Sequence, residues 1–258
     1  MRRPRQGNRP PTPKRNRPMR KLLNLAQDNR GKGSGLRSEA TGTDTTTVYL
    51  YDVIDSFWGI CASDFTRELA AITTSNVVLR INCPGGDVFE ARAMMTAIAE
   101  HPATFTAKVD GLAASAATAI TLACDTVEIA DGGFYMIHQA WTFAMGNADD
   151  MTATATLLGK IDDVLVAGYA GKTGKPNDEI AALMRAETWF TAQEAVDAGF
   201  ADAVTASPAK KAKAQASAFN LAAFANAPKV LTEQEPVLDE TLRTRSLARL
   251  GLYERTAA

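Results

Sequence analysis

Segments of strand length alternate with segments of helical periodicity between residues 48 and 185, and this alternation constrains the fold more than any other feature. Residues 77–81 form a mostly apolar run of strand length, whereas apolar residues recur at helical spacing within 87–99. Such alternation is typical of βαβ units, so we predict an α/β fold with a mostly parallel sheet. The predicted strands cover 48–54, 77–81, 104–109, 126–130 and 134–137, and the predicted helices cover 62–72, 87–99, 115–124, 149–170 and 177–185.

Two segments rich in small residues follow strands of this predicted sheet. One is Cys83-Pro-Gly-Gly86, directly after the strand at 77–81, and the other is Gly111-Leu-Ala-Ala-Ser115, after the strand at 104–109. Open α/β sheets hold their ligands at the carboxyl ends of their strands, where both segments should lie. Because glycine has no Cβ, the Gly-Gly turn also allows a close approach of backbone to substrate.

The chain has two histidines, which limits the candidates for a general base. His138 closes the apolar segment 134–137, whereas His101 stands at a predicted helix end. A serine hydroxyl is a weak nucleophile that needs an adjacent base, most often histidine. Ser115 begins a predicted helix, whose free N–H groups and dipole favour a developing oxyanion. The pattern indicates an acyl-transfer site, although a serine among alanines or a single histidine is also common in a purely structural role.

Four segments in this order resemble the ClpP family of serine peptidases across residues 47 to 205. They are Ile81-Asn-Cys-Pro-Gly-Gly86, Gly111-Leu-Ala-Ala-Ser-Ala116, Tyr135-Met-Ile-His-Gln139 and Phe190-Thr-Ala-Gln-Glu-Ala-Val-Asp-Ala-Gly-Phe-Ala-Asp202. The resemblance implies a ClpP/crotonase-like fold, protein substrates and assembly into a homo-oligomeric ring. It also implies that Ser115 is the nucleophile and His138 the base. The N–H groups of Gly86 and Ala116 would then form the oxyanion hole.

The segments Val48-Tyr-Leu-Tyr-Asp-Val-Ile54 and Glu187-Thr-Trp-Phe190 are most similar to the ClpP-like head-maturation (prohead) proteases of tailed phages. This similarity implies an ATP-independent endopeptidase that matures capsid or scaffold proteins in the host cytoplasm or the prohead. Three alternatives stay open: a housekeeping-type ClpP peptidase working with an AAA+ unfoldase, a crotonase-like acyl-CoA enzyme, and an inactive capsid-assembly factor. The presence of both Ser115 and His138 argues against the acyl-CoA enzyme, which needs no such pair.

The third member of the expected triad departs from the family pattern. The family has an aspartate two residues before the phenylalanine that opens the fourth motif, and this chain has Thr188 there, next to Glu187. The third member orients the imidazole and stabilises its cation. Thr188 could orient the ring without adding charge, and Glu187 could add charge if it turns inward. The remaining candidates are Asp162 and Asp163 for the acid, and Lys108 or Lys160 for a serine–lysine dyad that His138 would make redundant.

Charge is segregated along the chain. Residues 1–37 carry 12 of the 28 basic residues and one acid, Asp28, so their formal charge is +11. Such a segment cannot bury enough apolar surface to fold. We therefore predict a disordered basic tail and linker over 1–46, a peptidase domain over 47–206, and a C-terminal tail with short helices over 207–258. The basic arm is either a solvated tail or a segment that contacts nucleic acid or an acidic protein.

Composition bounds the remaining possibilities. A chain of 258 residues with 46% hydrophobic residues can bury one sizeable core. No apolar run approaches the ~20 residues that span a bilayer, and the basic N-terminus lacks the apolar stretch of a secretory signal. We therefore expect a cytoplasmic protein without a membrane partner. The three cysteines, Cys61, Cys83 and Cys124, are an odd number with no closely spaced pair, which favours reduced thiols. No metal-ligand or phosphate-binding pattern predicts a metal or a cofactor.

Overall fold

A computed structural model describes residues 25–206 and 219–232. Its strands are β1 (Gly35–Ala40), β2 (Thr45–Tyr51), β3 (Asn76–Cys83), β4 (Thr104–Ala114), β5 (Thr126–Ala130), β6 (Phe134–Ile137), β7 (Thr188–Thr191) and β8 (Ala203–Thr205). Its helices are α1 (Ala62–Ala70), α2 (Val88–Glu100), α3 (Ala116–Thr121), α4 (Ala148–Thr173), α5 (Asn177–Arg185), α6 (Ala192–Asp197) and α7 (Lys229–Thr232).

One sheet joins all eight strands in the order β1-β2-β3-β4-β5-β8, with β6 paired to β4 and β7 paired to β6. The pairs β2/β3, β3/β4, β4/β5, β4/β6 and β5/β8 are parallel. Only β1/β2 and β6/β7 are antiparallel among the named strands of the described residues. Helices α1, α2 and α3 connect the successive parallel strands β2 to β5, as βαβ units require. The predicted α/β fold with a mostly parallel sheet is confirmed.

The main core lies where α2 packs on the central strands. Val77, Leu79 and Ile81 alternate along β3 and are buried, together with Ala91 and Met94 of α2. Alternate residues of a strand point to opposite faces, so β3 directs this apolar row towards the helices. Because β3 and β4 pair in parallel, their carboxyl ends lie side by side, at the edge where the predicted site residues lie.

The predicted elements over 126–130, 134–137 and 177–185 coincide with β5, β6 and α5. Gly35–Ala40, which lie within the tail and linker predicted over 1–46, form β1, antiparallel to β2. This strand is mostly exposed and has no apolar alternation, so backbone pairing rather than core burial defines it. The predictions of a disordered tail over 1–24 and of tail structure over 207–218 and 233–258 lie outside the described residues.

A second hydrophobic cluster covers the other face of the sheet. Leu112 and Ala114 of β4 belong to it, whereas the intervening Ala113 belongs to the main core. Residues 25–30 and 219–232, which we call the clasp, cover this face and supply most of the remaining members, namely Leu25, Phe219, Leu221, Ala223, Phe224 and Leu231. The two parts of the clasp are joined at Asn29, whose amide donates to the Asn220 carbonyl (3.0 Å) and accepts from the Asn220 N–H (2.6 Å).

Within the two described ranges, none of the helices combines the length and the apolar character that a membrane crossing requires.

Candidate active site

Ser115 lies at the sharp turn between β4 and α3. Its backbone has φ 56° and ψ −126°, a conformation that costs a residue with a side chain about 1–3 kcal/mol. The surrounding hydrogen bonds hold it there: the Ser115 N–H donates to the Met136 carbonyl (2.8 Å), and the Thr118 hydroxyl donates to the Ser115 carbonyl (2.6 Å). The turn places the Ser115 side chain on the wall of a cavity.

His138 follows β6 and meets Ser115 directly. Its Nε2 atom lies 2.7 Å from the Ser115 Oγ atom, a hydrogen-bonding distance. The strand register explains the contact. Ala114 of β4 pairs with Met136 of β6, so Ser115, which follows Ala114, lies close to His138, two residues after Met136. The structure therefore brings together the two residues that the sequence predicted as nucleophile and base.

The environment of His138 favours the neutral imidazole. Burial lowers the pKa of His138 to about 4, and the negative charge of Glu187 opposes this shift only in part. The neutral ring is the form that accepts a proton from a serine hydroxyl. The same burial disfavours the imidazolium that would form during acyl transfer.

The Gly-Gly turn after β3 lies against Ser115. A Cβ atom on Gly85 would lie 2.5 Å from the Ala114 carbonyl oxygen and 2.8 Å from the Ser115 Cβ atom, and Gly85 has φ +90°. Only glycine therefore allows this close approach. The residues on either side of Gly86 bond to Ile54, through the Ile54 N–H to the Gly85 carbonyl (2.9 Å) and the Asp87 N–H to the Ile54 carbonyl (2.8 Å).

Ile54 and Gly86 thus form a parallel β-bridge, in which Gly85 and Asp87 make the hydrogen bonds to Ile54. The N–H of Gly86 itself points away from Ile54. On the other side of Ser115, Ala116 is the first residue of α3, so its N–H has no partner within the helix. The two backbone donors predicted for an oxyanion hole thus belong to the turns that meet at Ser115.

The residues predicted for the third position are engaged elsewhere. The Thr188 hydroxyl donates to the Leu183 carbonyl (2.7 Å). The Glu187 carboxylate accepts the backbone N–H groups of Ala225 (2.9 Å) and Asn226 (2.6 Å) in the clasp.

Asp162 is occupied as well, since its carboxylate accepts the Ala140 N–H (2.7 Å) and the Gln139 side-chain amide (3.2 Å). Among residues 25–206 and 219–232, the His138 ring makes no hydrogen bond to Thr188, Glu187, Asp162 or Asp163.

Two aromatic side chains contact the His138 ring in place of an acid. The Phe224 ring lies 5.6 Å away, centroid to centroid, at an interplanar angle of 84°, and the Trp141 ring lies 6.3 Å away at 60°. Sequence reasoning missed Phe224 because it treated 207–258 as a tail. The apolar positions Phe219, Leu221 and Phe224 are the one local signal that this segment packs on the domain.

A cavity of about 320 Å³ opens beside Ser115 and His138. Its wall is largely apolar and includes residues of α4, the loop before α1, the loop after β6 and the clasp, in that order Leu157, Leu158, Ile161, Leu165, Trp58, Trp141 and Leu25. Asp55 and Asp87 are the carboxylates on this wall. The cavity has the size and character to accept an apolar side chain next to the serine.

The alternative lysines and the cysteines do not line this cavity. Lys108 forms an ion pair with Glu128 on the neighbouring strand (2.9 Å), and Lys160 lines an adjoining groove between α2 and α4. All three cysteines are free thiols. Cys124 is buried, and burial raises its pKa to about 12, which suits a packing role.

A serine and a histidine in hydrogen-bonding contact at the carboxyl ends of parallel strands, beside two backbone donors, are an arrangement of the serine-hydrolase class. The model of one family, Clp protease, matches residues 46–208. The chain therefore belongs to the Clp protease family, a family of serine peptidases, as the sequence motifs predicted.

Individual relatives agree with this assignment. The ATP-dependent Clp protease proteolytic subunit 1 of Protochlamydia amoebophila is 29% identical over 176 residues, which cover 65% of this chain and 84% of the relative. Subunit 3 of the same protease from Rhodococcus jostii is 30% identical over 166 residues, covering 63% and 81%. A solved structure of a ClpP1 mutant from Listeria monocytogenes shares the fold, with a TM-score of 0.56 and 21% identity over 63% of this chain and 92% of that chain.

Proposed function

We propose that this protein is a serine endopeptidase that hydrolyses peptide bonds through Ser115 and His138. The observation that carries the proposal is the 2.7 Å contact between His138 Nε2 and Ser115 Oγ in a chain of the Clp protease family. The backbone donors of Gly86 and Ala116 support it, because acyl transfer needs donors already aimed at the developing oxyanion.

The proposed reaction uses these groups in two stages. His138 Nε2 takes the proton from Ser115 Oγ as that oxygen attacks the peptide carbonyl carbon, and the Gly86 and Ala116 N–H groups bind the oxyanion. The C–N bond breaks, the amine leaves with the proton from His138, and Ser115 stays acylated. His138 then deprotonates a water that attacks the ester, and the acid product leaves as Ser115 regains its proton.

We infer that the protein assembles into a homo-oligomeric ring in which α4 contacts a second copy. The helix has 26 residues, yet only Val166 and Tyr169 on it are buried within the chain. Leu157 and Val164 are 49% and 51% exposed. An apolar helix face of this length that its own domain leaves uncovered is typical of a subunit contact.

A finer proposal concerns the substrates: capsid or scaffold proteins of a tailed phage, cleaved without an unfoldase in the host cytoplasm or the prohead. The segments 48–54 and 187–190, which resemble phage head-maturation proteases, support it. The relatives are ATP-dependent Clp protease proteolytic subunits, which favours the alternative in which an AAA+ unfoldase delivers substrates. Residues 1–24 of the basic arm proposed to contact nucleic acid or an acidic protein lie outside the described residues.

One experiment separates these proposals. Purified wild type and Ser115→Ala are incubated with casein, as an unstructured substrate, and with any capsid or scaffold proteins encoded beside the gene. Cleavage of casein by wild type alone supports the peptidase, and trimming of capsid or scaffold proteins without an unfoldase supports the phage role. Cleavage of folded proteins only with an AAA+ unfoldase and ATP favours the alternative. Failure of every Ser115-dependent cleavage would overturn the peptidase proposal.

A further inference from the structure

The clasp contacts the candidate base from outside the family domain. The Clp protease model matches residues 46–208, so both parts of the clasp lie beyond it. Phe224, which is 5% exposed, places its ring edge-to-face against His138 at 5.6 Å. It also stacks edge-to-face with Trp189 of β7 at 5.7 Å. The clasp thus extends the set of side chains around His138 with residues that the family pattern does not include.

Glu187 fastens the clasp at this point. Its carboxylate accepts the N–H groups of Ala225 and Asn226, the two residues that follow Phe224, and the Asn226 side-chain amide donates to the Ala186 carbonyl (2.8 Å). Glu187 also adopts φ 49°, a conformation that is strained for a residue other than glycine. The local backbone therefore turns the carboxylate towards the clasp rather than towards the His138 ring.

We propose that Phe224 is a positioning residue for His138, and that Glu187 keeps Phe224 in place through the backbone of Ala225 and Asn226. The inference rests on the proposed peptidase function. Packing by the clasp would fix the ring plane where the family pattern has an aspartate and this chain has Thr188. Such packing restricts rotation of the imidazole but supplies no charge to it.

Kinetics of the full-length chain distinguish this role from general support of the fold. Phe224→Ala frees the ring, so we expect kcat to fall about 10- to 100-fold, because small misplacements of a reacting group have effects of that size. The KM should stay near the wild-type value, since the cavity beside Ser115 is lined by other residues. Phe224→Leu, which keeps most of the volume, should restore part of kcat, and Glu187→Gln should lower kcat less than Phe224→Ala does.

Phe219→Ala is the matched control. Phe219 belongs to the same clasp and the same cluster and is 3% exposed, but its ring makes no contact with His138. We expect its kcat within about threefold of wild type, as for a substitution away from the reacting groups. An equal loss of kcat in Phe219→Ala and Phe224→Ala would overturn the positioning role, as would a rise in KM at unchanged kcat for Phe224→Ala.

A second readout needs no turnover. The chain has two histidines, so proton NMR of the Ser115→Ala protein gives two imidazole Cε1–H signals, and His101→Gln assigns them. The groups around His138 that bear on its titration are Glu187, Asp162 beside Gln139 and Ala140, and Asp55 and Asp87 on the cavity wall. Removing the Phe224 ring exposes the imidazole and should move its midpoint from about 4 towards 6.5, whereas Phe219→Ala should leave it in place.

An unchanged His138 midpoint in Phe224→Ala would overturn the inference whatever the activity. If the wild-type protein cleaves no substrate, the peptidase proposal fails and the NMR titration still decides whether Phe224 packs on the ring and fixes it. Thermal unfolding of each variant verifies that the domain is folded in both experiments.

Discussion

His138 is half-buried between two aromatic rings, and its pKa follows from that position. Burial removes water from the imidazolium, and Glu187 returns only part of the lost stabilisation. His138 can therefore stay neutral, and able to accept a proton, in mildly acidic solution. The same burial makes the imidazolium that forms during the reaction less stable.

This environment predicts an acid-shifted pH profile. His138 stays neutral above a pKa of about 4, so the rate of Ser115 acylation should be flat from pH 8 to about 5 and fall only near pH 4. His101→Gln should leave the profile unchanged. A midpoint at the ordinary histidine value of 6.5 would contradict the lowering of the His138 pKa by burial.

The same shift affects stability with a defined sign. The pKa of His138 is lower in the folded state than the unfolded value of 6.5, so the unfolded chain binds the proton more readily between those values. The contribution to the free energy of unfolding is present above pH 6.5 and is lost as the pH falls towards 4. Circular dichroism at each pH therefore accompanies the activity profile, so that loss of the fold is not mistaken for protonation of the base.

Thr188 is the position at which charge could be restored. Thr188 pairs with Ile137 in the β6/β7 ladder, next to His138, and its hydroxyl donates to the Leu183 carbonyl. Thr188→Asp would bring a carboxylate close to the ring, so we expect a higher His138 pKa and a kcat at pH 7 that is preserved or raised. Thr188→Val, which removes the hydroxyl without adding charge, is the control. A large loss of kcat in Thr188→Asp with none in Thr188→Val would show that an acid is not tolerated there.

At the scale of elements, the turn between β3 and α2 positions the proposed oxyanion donor. Gly85→Ala would place a Cβ atom 2.5 Å from the Ala114 carbonyl oxygen, so the turn must move away from Ser115. We expect kcat to fall about 100-fold or more, the usual effect of losing one oxyanion donor. Gly171→Ala is the control, because a Cβ atom there meets open space near the end of α4. An active Gly85→Ala enzyme would remove this turn from the proposed mechanism.

Elements with a strong local pattern could be predicted from the sequence, and those defined by distant pairing could not. The apolar runs and helical spacing located β5, β6 and α5, and the predicted helix 149–170 lies within α4. In contrast, β1 is mostly exposed and owes its conformation to backbone pairing with β2.

The candidate site divides in the same way. Ser115, His138 and the Gly-Gly turn carry local signals, since each follows a strand at the same edge of the sheet. The contact of Phe224 with His138 depends on how a distant segment folds back, and the left-handed backbone of Glu187 turns its carboxylate to that segment. Neither this contact nor the backbone conformation of Glu187 can be predicted from the spacing of residues along the chain.

At the scale of the whole molecule, the exposed apolar face of α4 predicts assembly. Val164→Asp places a charge on that face, so we expect it to weaken the oligomer, because burying an unpaired charge at an interface is costly. Thr152→Asp, also exposed on α4, is the control. Light scattering decides the outcome: a wild-type particle near 27.5 kDa at micromolar concentration would contradict a stable ring.

The central claim is that Ser115 is a nucleophile activated by His138, and covalent labelling tests it most directly. Wild type, Ser115→Ala and His138→Ala are treated with a fluorophosphonate, and the adduct is located by mass spectrometry of peptides. We predict one adduct on Ser115 in wild type, none in Ser115→Ala, and labelling slowed by several orders of magnitude in His138→Ala, because members of such a site act as a unit. Equal labelling of wild type and Ser115→Ala, or an adduct on another residue, would contradict the account.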